Sequence, residues 1–330
     1  MRRLVWLLLA SLLFFPACKG REANGDGPLL VLSYADNQPD DHPATLAAIY
    51  FASLVEERTG GRVSIEVYAD GELGTELAVF EQMRYGGVDI ARLSVGIMTD
   101  YFPQLGLIEL PFLYKDSSHM WRVLDGELGD YILAETEEQG MFGLAWLDAG
   151  ARSFYTRTQV SSLEDLKGMR IRILETDLME RFVEPLEVVP VRMNYGDVYS
   201  ALMKNAIDGA ENNLPSYYSM GHYQAARYVY MDEHYRVPEL LMMSINARSK
   251  LESVDPSLLP VLQECAREAA LYERALWQEQ EAEVMEKLLA SGVVMTYPSE
   301  EDRVKARELM TAVYADYGSY SWLISRIRDQ

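Results

Sequence analysis

The stretch LLVLSYADNQPDDHPATLAAIYFASLVEERTGGRVSIEVYADGELGTELAVFEQMRYGGVDIARL, residues 29–93, decides the fold class. Leu29 to Ser33 is a short apolar run that reads as a strand, followed by the polar loop Asp36-Asn37-Gln38-Pro39-Asp40-Asp41-His42-Pro43. Pro43 suits the first turn of a helix, where its missing N–H would have had no partner. Leu46, Ile49, Tyr50, Leu54 and Val55 then recur at helical spacing until Gly60-Gly61 ends the pattern. Val63, Ile65 and Val67 alternate with Ser64 and Glu66, the period of a strand with one wetter face. Gly71 to Gly74 turns the chain into a second helix, Glu76 to Tyr85. Beyond Gly86-Gly87, Val88 to Leu93 is another strand. A βαβαβ order with short turns implies an α/β lobe with a largely parallel sheet.

Downstream, Asp116 to Gln139 is helix-rich, and Phe142 to Trp146 and Ser153 to Thr156 read as two strands. A second α/β cycle follows: Met169-Arg170-Ile171-Arg172-Ile173 alternates as a strand, and Leu178 to Leu186 reads as a helix. Val188 to Met193 is again a strand, and Val198 to Lys204 begins another helix. From Pro256 to Leu289 runs a helical pattern with no Gly or Pro after Pro260, long enough to tie two lobes together. No clean heptad carries through it, which argues against a coiled coil.

The chain has 330 residues, with 30 Lys+Arg against 51 Asp+Glu, a formal charge of −21 and a pI near 4.6. At 49% hydrophobic residues it can bury a sizeable core. The acidity argues against nucleic acid as a partner, because phosphate binding needs clustered Lys and Arg to release counterions. Adsorption to anionic lipid is disfavoured for the same reason. An anionic ligand would need a local positive site inside a negative body.

Residues 1–18 read MRRLVWLLLASLLFFPAC: Arg2 and Arg3, an apolar run from Leu4 to Phe15, then Cys18 directly after Ala17. The run is too short for a bilayer core of ~30 Å and reads as an export signal over residues 1–17. The placement of Cys18 resembles a bacterial lipoprotein signal, in which the cysteine is acylated and becomes the mature N-terminus. Phe15 and Pro16 depart from the usual pattern, and an ordinary secretory signal is the alternative. Residues 18–28 would then form a polar tether. Removing residues 1–17 takes away two arginines and no acid, so −21 becomes −23. Cys265 is the other cysteine, so the mature chain has no internal disulfide to make; its helical context marks it as a buried small apolar residue.

There is no Gly-rich phosphate loop with its Lys-Ser/Thr, no CxxC, no HExxH and no Gly-x-Ser-x-Gly elbow. His42, His119, His222 and His234 lie far apart, so neither a metal site nor a cofactor is indicated.

Two segments go beyond a generic α/β reading: SLEDLKGMRIRI, residues 162–173, and GDVYSALMKNAIDGAEN, residues 196–212. At this spacing they resemble the solute-binding proteins of TRAP (tripartite ATP-independent periplasmic) transporters. Phe51 to Gly61, Leu73-Gly74-x-Glu76, Leu110-Pro111-Phe112 and the region around His234 also match, so the resemblance covers residue 30 to the C-terminus. It implies a two-lobed periplasmic-binding-protein-like clamshell that closes on a small organic acid and hands it to an ion-gradient-driven TRAP membrane permease, without covalent chemistry. The implied location is periplasmic or extracytoplasmic, with a lipid anchor at Cys18. The implied lobes are discontinuous, 29–149 plus 238–277 and 150–237 plus 278–330, with the long helix spanning both.

Carried over residue by residue, the resemblance makes Arg172 the main carboxylate ligand. A guanidinium offers paired parallel donors that a lysine cannot reproduce. Strand alternation alone puts Arg170 and Arg172 on one face and cannot choose between them. Without the resemblance, a strand arginine is more often at a solvated edge or in an ion pair. Gly150-Ala151-Arg152 matches a segment with a supporting second arginine, Asn212 a position whose amide donates to the same carboxylate, and Tyr195 an aromatic that packs on the solute. Ser94 and Glu76 fall near the opposing wall, although an acid at Glu76 also opposes a helix dipole. Asp208-Gly209 reads as a turn, and Tyr217, Tyr218, Tyr223, Tyr228 and Tyr230 as mostly structural.

Two departures leave alternatives open. Glu187 stands where the family commonly has glycine, and Glu175-Thr176-Asp177 brings acids near the arginine strand, where they could occupy Arg172. The same fold would then bind an apolar or sugar-like, non-carboxylate solute, or act as a lipid-anchored sensory or scaffold protein. A carboxylate-pair hydrolase is the least supported reading.

Overall fold

The computed structural model describes residues 27–175 and 177–330, so the export signal and Cys18 lie outside the described residues. Among the described residues nine strands form one sheet: β1 (Leu30–Ala35), β2 (Val63–Tyr68), β3 (Ile90–Ser94), β4 (Met141–Thr156), β5 (Arg170–Ile173), β6 (Val189–Arg192), β7 (Gly209–Asn212), β8 (Tyr228–Ser244) and β9 (Val294–Thr296). The order is β2-β1-β3-β8-β4-β7-β5-β6, with β9 on β8. β1 pairs parallel with β2 and β3, and β5 parallel with β6 and β7. These are the two α/β halves that the apolar periodicity predicts.

What joins the halves is antiparallel and was not read from the sequence. β8 pairs with β3 through Glu239–Met243 and with β4 along most of its length, while β4 pairs with β7 at its far end. The expected separate strands 142–146 and 153–156 are one 16-residue strand. Their register shifts between Asp148 and Ala151, where Gly150 adopts φ +69°. The polar and glycine residues that look like a loop are a bulge, which bends a strand without ending it.

Helix Pro43–Arg58 caps itself with His42, whose Nδ1 accepts from Ala44 N at 3.2 Å, and Pro43 occupies its first turn. Helix Leu258–Ala290 has 33 residues, about 50 Å of rise. Its first half buries Leu262, Cys265, Ala266 and Ala269 against Phe51 and Val55 of helix Pro43–Arg58 and against Leu32 and Val63 of the first half-sheet. Its last turns bury Val284 and Leu288 with Leu202, Ile207 and Ala210 of the second half. Full burial of such side chains is worth ~1.5–3 kcal/mol each, so the helix is anchored at both ends. The architecture is an α/β, two-lobed clamshell with a long helix linking the lobes.

Glu187 adopts φ +54°. The backbone there is in the left-handed region that glycine enters without cost, the physical reason for a glycine at that position.

Candidate functional site

The six residues singled out from the sequence, Arg172, Arg152, Asn212, Tyr195, Ser94 and Glu76, all line one cavity between the two halves of the sheet. Its volume is about 60 Å³, below the ~300–1,000 Å³ typical of small-molecule sites, so a solute must part the walls to enter.

β5 supplies the centre of one wall. Ile171 and Ile173 face the core, and Arg170 turns to the surface, where its Nη2 donates to Asp208 Oδ1 at 2.8 Å. Arg172 is 2% exposed. Its Nε donates to the Met193 carbonyl at 2.9 Å, and its buried Nη1 has no hydrogen-bond partner. Burial holds the guanidinium below its ordinary pKa range, only partly opposed by Glu211 and Tyr155. A desolvated, partly unpaired guanidinium facing a cavity is an unmet demand for an anion. The nearby acids do not meet it: Asp177 accepts from Arg192, Glu187 pairs with Lys167, and Glu175 is exposed.

Arg152, from β4, is already committed. Its Nη2 donates to Glu211 Oε1 at 2.8 Å and to the Glu211 carbonyl at 2.9 Å, and its Nε to Glu211 Oε2. Burial would lower the Arg152 pKa, but Glu211 raises it further than burial lowers it. Burial likewise opposes Glu211, yet Arg152 and His234 hold its carboxyl down at about 2. The ion pair is neutral overall, so Arg152 has less to offer a second anion than Arg172.

Asn212 ends β7, and its side-chain oxygen accepts from Asn213 N at 2.9 Å, leaving the amide N–H₂ as its donor for the cavity. Tyr195 donates from its hydroxyl to the Ser216 carbonyl at 3.2 Å, and its ring packs edge-on to His222. Tyr155 and His222 are hydrogen-bonded at 2.8 Å behind it. Burial, helped by Arg172, lowers His222 to about 4, which keeps that imidazole neutral.

The opposite wall is rich in acceptors. Glu76, at the first position of helix Glu76–Arg84, accepts from Ser94 N at 2.7 Å and from Ser94 Oγ at 2.9 Å. Arg92, 2% exposed, donates from Nε to Asp36 Oδ1 at 2.9 Å, pairs through Nη1 with Glu239 Oε2 at 2.6 Å, and reaches the Asn37 side-chain oxygen through Nη2. Glu109 also lines the cavity. Burial pushes its carboxyl up to about 8, against the pull of Arg152. Sequence reasoning missed Arg92, Glu109 and Glu239. The available signal was a single charge inside an apolar run, as in Ile90-Ala91-Arg92-Leu93 and Val237-Pro238-Glu239-Leu240. Trp277 of the long helix completes the lining, stacked edge-on with His42 at 5.5 Å.

The cavity is therefore polar in a directed sense, with donors on the β5/β7 side and carboxylates on the β3/β8 side. Among the described residues no group of three or more His, Cys, Asp or Glu is placed to hold a metal ion, and no helix is long and apolar enough to cross a membrane.

The family model of the bacterial extracellular solute-binding proteins, family 7, matches residues 34–319. A solute-binding protein of Chromohalobacter salexigens is 34% identical over 280 residues, 84% of this chain and 82% of that protein. A TRAP periplasmic solute-binding protein of Xanthobacter autotrophicus, solved with bound β-D-galacturonate, is 33% identical with a TM-score of 0.86, covering 90% of this chain and 99% of that one. One from Pseudomonas putida, solved with bound D-glucuronate, is 34% identical with the same TM-score, covering 90% and 96%. Family members are binding proteins rather than enzymes and work in the periplasm. The chain therefore belongs to the extracellular solute-binding proteins of family 7, the components of TRAP transporters that capture a small organic acid for a membrane permease.

Proposed function

We propose that the solute is a sugar acid of the hexuronate or aldonate class, held by its carboxylate on Arg172. The observation that carries this reading is the buried Arg172 Nη1 without a partner, in a cavity whose far wall offers carboxylates. A carboxylate at one end of the solute satisfies the guanidinium, with Asn212 donating to the same group and Tyr195 packing on the ring. Hydroxyls at the other end donate to Glu76, Glu239 and the Ser94 hydroxyl oxygen, whose own hydrogen goes to Glu76. Two structures with 33–34% identity were solved with uronates, which have this one-sided chemistry. Arg152 acts from behind, neutralised by Glu211, as a positioning residue.

Closure follows from the same demand. Without solute the buried Arg172 donor goes unpaired; a bound carboxylate supplies its acceptor, and that differential affinity favours the closed state. The hinge lies at the β4 bulge, with lobes 29–149 plus 238–277 and 150–237 plus 278–330. Cys18 anchors the mature chain to a membrane as a lipoprotein through the tether 18–28, after removal of the signal 1–17.

Isothermal titration calorimetry of the mature protein against D-glucuronate, D-galacturonate, L-gulonate, succinate and neutral hexoses tests the solute class. Saturable binding of a sugar acid, with no heat from the neutral hexoses, is expected. Preference for succinate or a neutral hexose overturns it.

A further inference from the structure

A second cavity, of about 450 Å³, shares no lining residue with the solute cavity. Lys115, Arg236, Arg303, Arg307 and Arg328 converge on it from the loop after Pro111, from β8, from helix Glu300–Leu309 and from helix Ser321–Arg328. In a chain of charge −21, five cations around one concavity is a local reversal of sign. The two acids in the lining are already engaged. Asp232 accepts from the His234 ring at 2.9 Å and from Phe154 N at 3.4 Å, and Glu233 accepts from Arg236 at 3.0 Å. Arg236 also donates to Ser117 Oγ, and Arg328 lies over the Tyr314 ring at 4.5 Å.

Lys115, Arg303 and Arg307 make no ion pair among the described residues. Arg303 and Arg307 are four residues apart on one helix face, where like charges repel. Tyr114 also lines the hollow, through atoms other than its fully buried hydroxyl. Uncompensated cations around one hollow leave an anion as the missing element. Arginine forks suit an oxyanion with several oxygens, which can accept two parallel bonds from each guanidinium.

We propose that this cavity is a second binding site, for a small multivalent oxyanion of the phosphate or polycarboxylate type. The site is independent of the solute assignment, because none of its residues belongs to the solute cavity. The test uses inorganic phosphate and citrate as probes, added to the mature protein at ionic strength matched with sodium chloride. Both the wild-type chain and Arg172→Ala are used, the latter so that citrate cannot report through the solute cavity. Calorimetry and thermal shift read the binding.

The expected result is saturable stabilisation by phosphate, citrate or both, retained in Arg172→Ala. Which probe binds identifies the anion type. The double variant Arg303→Ala/Arg307→Ala should bind about tenfold more weakly or worse, since it loses charge-assisted bonds, while its affinity for the sugar acid stays unchanged. A single Lys115→Ala variant weakens binding in the same direction and guards against misfolding of the helix. If both probes act no more strongly than matched chloride, or act equally on the double variant and the wild type, the proposal is overturned.

Discussion

Replacing Arg172 by methionine separates a ligand role from a structural one, because the two predict opposite changes in stability. In the unliganded protein the side chain makes one hydrogen bond to the Met193 carbonyl, and its Nη1 is buried without a partner. Losing the bond costs about 1 kcal/mol, while removing a buried unsatisfied donor on a charged group returns about 1–3 kcal/mol. Methionine fills much of the same volume with a flexible apolar chain. Unliganded Arg172→Met is therefore expected to be as stable as wild type, or more so, in urea denaturation. Binding behaves in the opposite sense. A carboxylate clamped by two charge-assisted bonds of ~1.5–3 kcal/mol each loses about 3–6 kcal/mol, roughly a hundredfold to ten-thousandfold in affinity. Arg172→Lys keeps the charge and loses the fork, so it falls between the two. Calorimetry with the sugar acid gives the affinity. Sugar-acid affinity of Arg172→Met within threefold of wild type would refute the clamp. A marked loss of stability without ligand would show Arg172 to be structural.

Further consequences are open to measurement. Glu211→Gln leaves Arg152 buried with half its partner and should destabilise the protein by about 3–5 kcal/mol, whereas a solvated pair would cost almost nothing. Denaturant midpoints decide between them. Glu109 has a folded pKa raised from 4.5 to about 8, so the native state binds the extra proton and stability falls as pH rises through that window. Glu109→Gln, neutral throughout, should match wild type below about pH 4 and gain on it by up to ~1.4 kcal/mol per pH unit from there towards pH 8; parallel stability–pH curves for the two proteins would contradict this. His222, lowered to about 4, works in the other direction: stability is lost as pH falls from 6.5 towards 4, and a His222→Phe variant should flatten that limb in a pH series of thermal melts. At Gly150, φ is +69° and an added Cβ would meet Trp277 Nε1 at 2.8 Å. Gly150→Ala should therefore cost roughly 1–2 kcal/mol for the backbone conformation alone, and weaken sugar-acid binding through the displaced indole; an unchanged melting temperature would exclude the strained bulge.

The two α/β halves were legible because each strand and helix advertises itself locally. Val63, Ile65 and Val67 alternate, Gly60-Gly61 and Gly86-Gly87 stop helices, and the helix through Cys265 carries apolar residues at helical spacing from Leu258 to Leu288. Those are short-range preferences, and burial of one face follows from them. The spine of the sheet was not legible for the converse reason. β8 is buried on both faces for most of its 17 residues, so it shows no alternation, and β4 carries a glycine bulge that imitates a loop.

The site divides in the same way. Sequence by itself determined which residue types were available for a carboxylate, and the family resemblance selected Arg172, Asn212 and Tyr195. Only the tertiary structure decided which arginine faces the cavity with a donor to spare. Arg170 is discharged at the surface by Asp208, Arg152 is held by Glu211, and Arg92 is ringed by Asp36, Glu76 and Glu239. The partners of those pairs lie 38, 59, 56, 16 and 147 positions away in the chain. An ion pair depends on distance and desolvation in space, and neither is a function of spacing along the sequence.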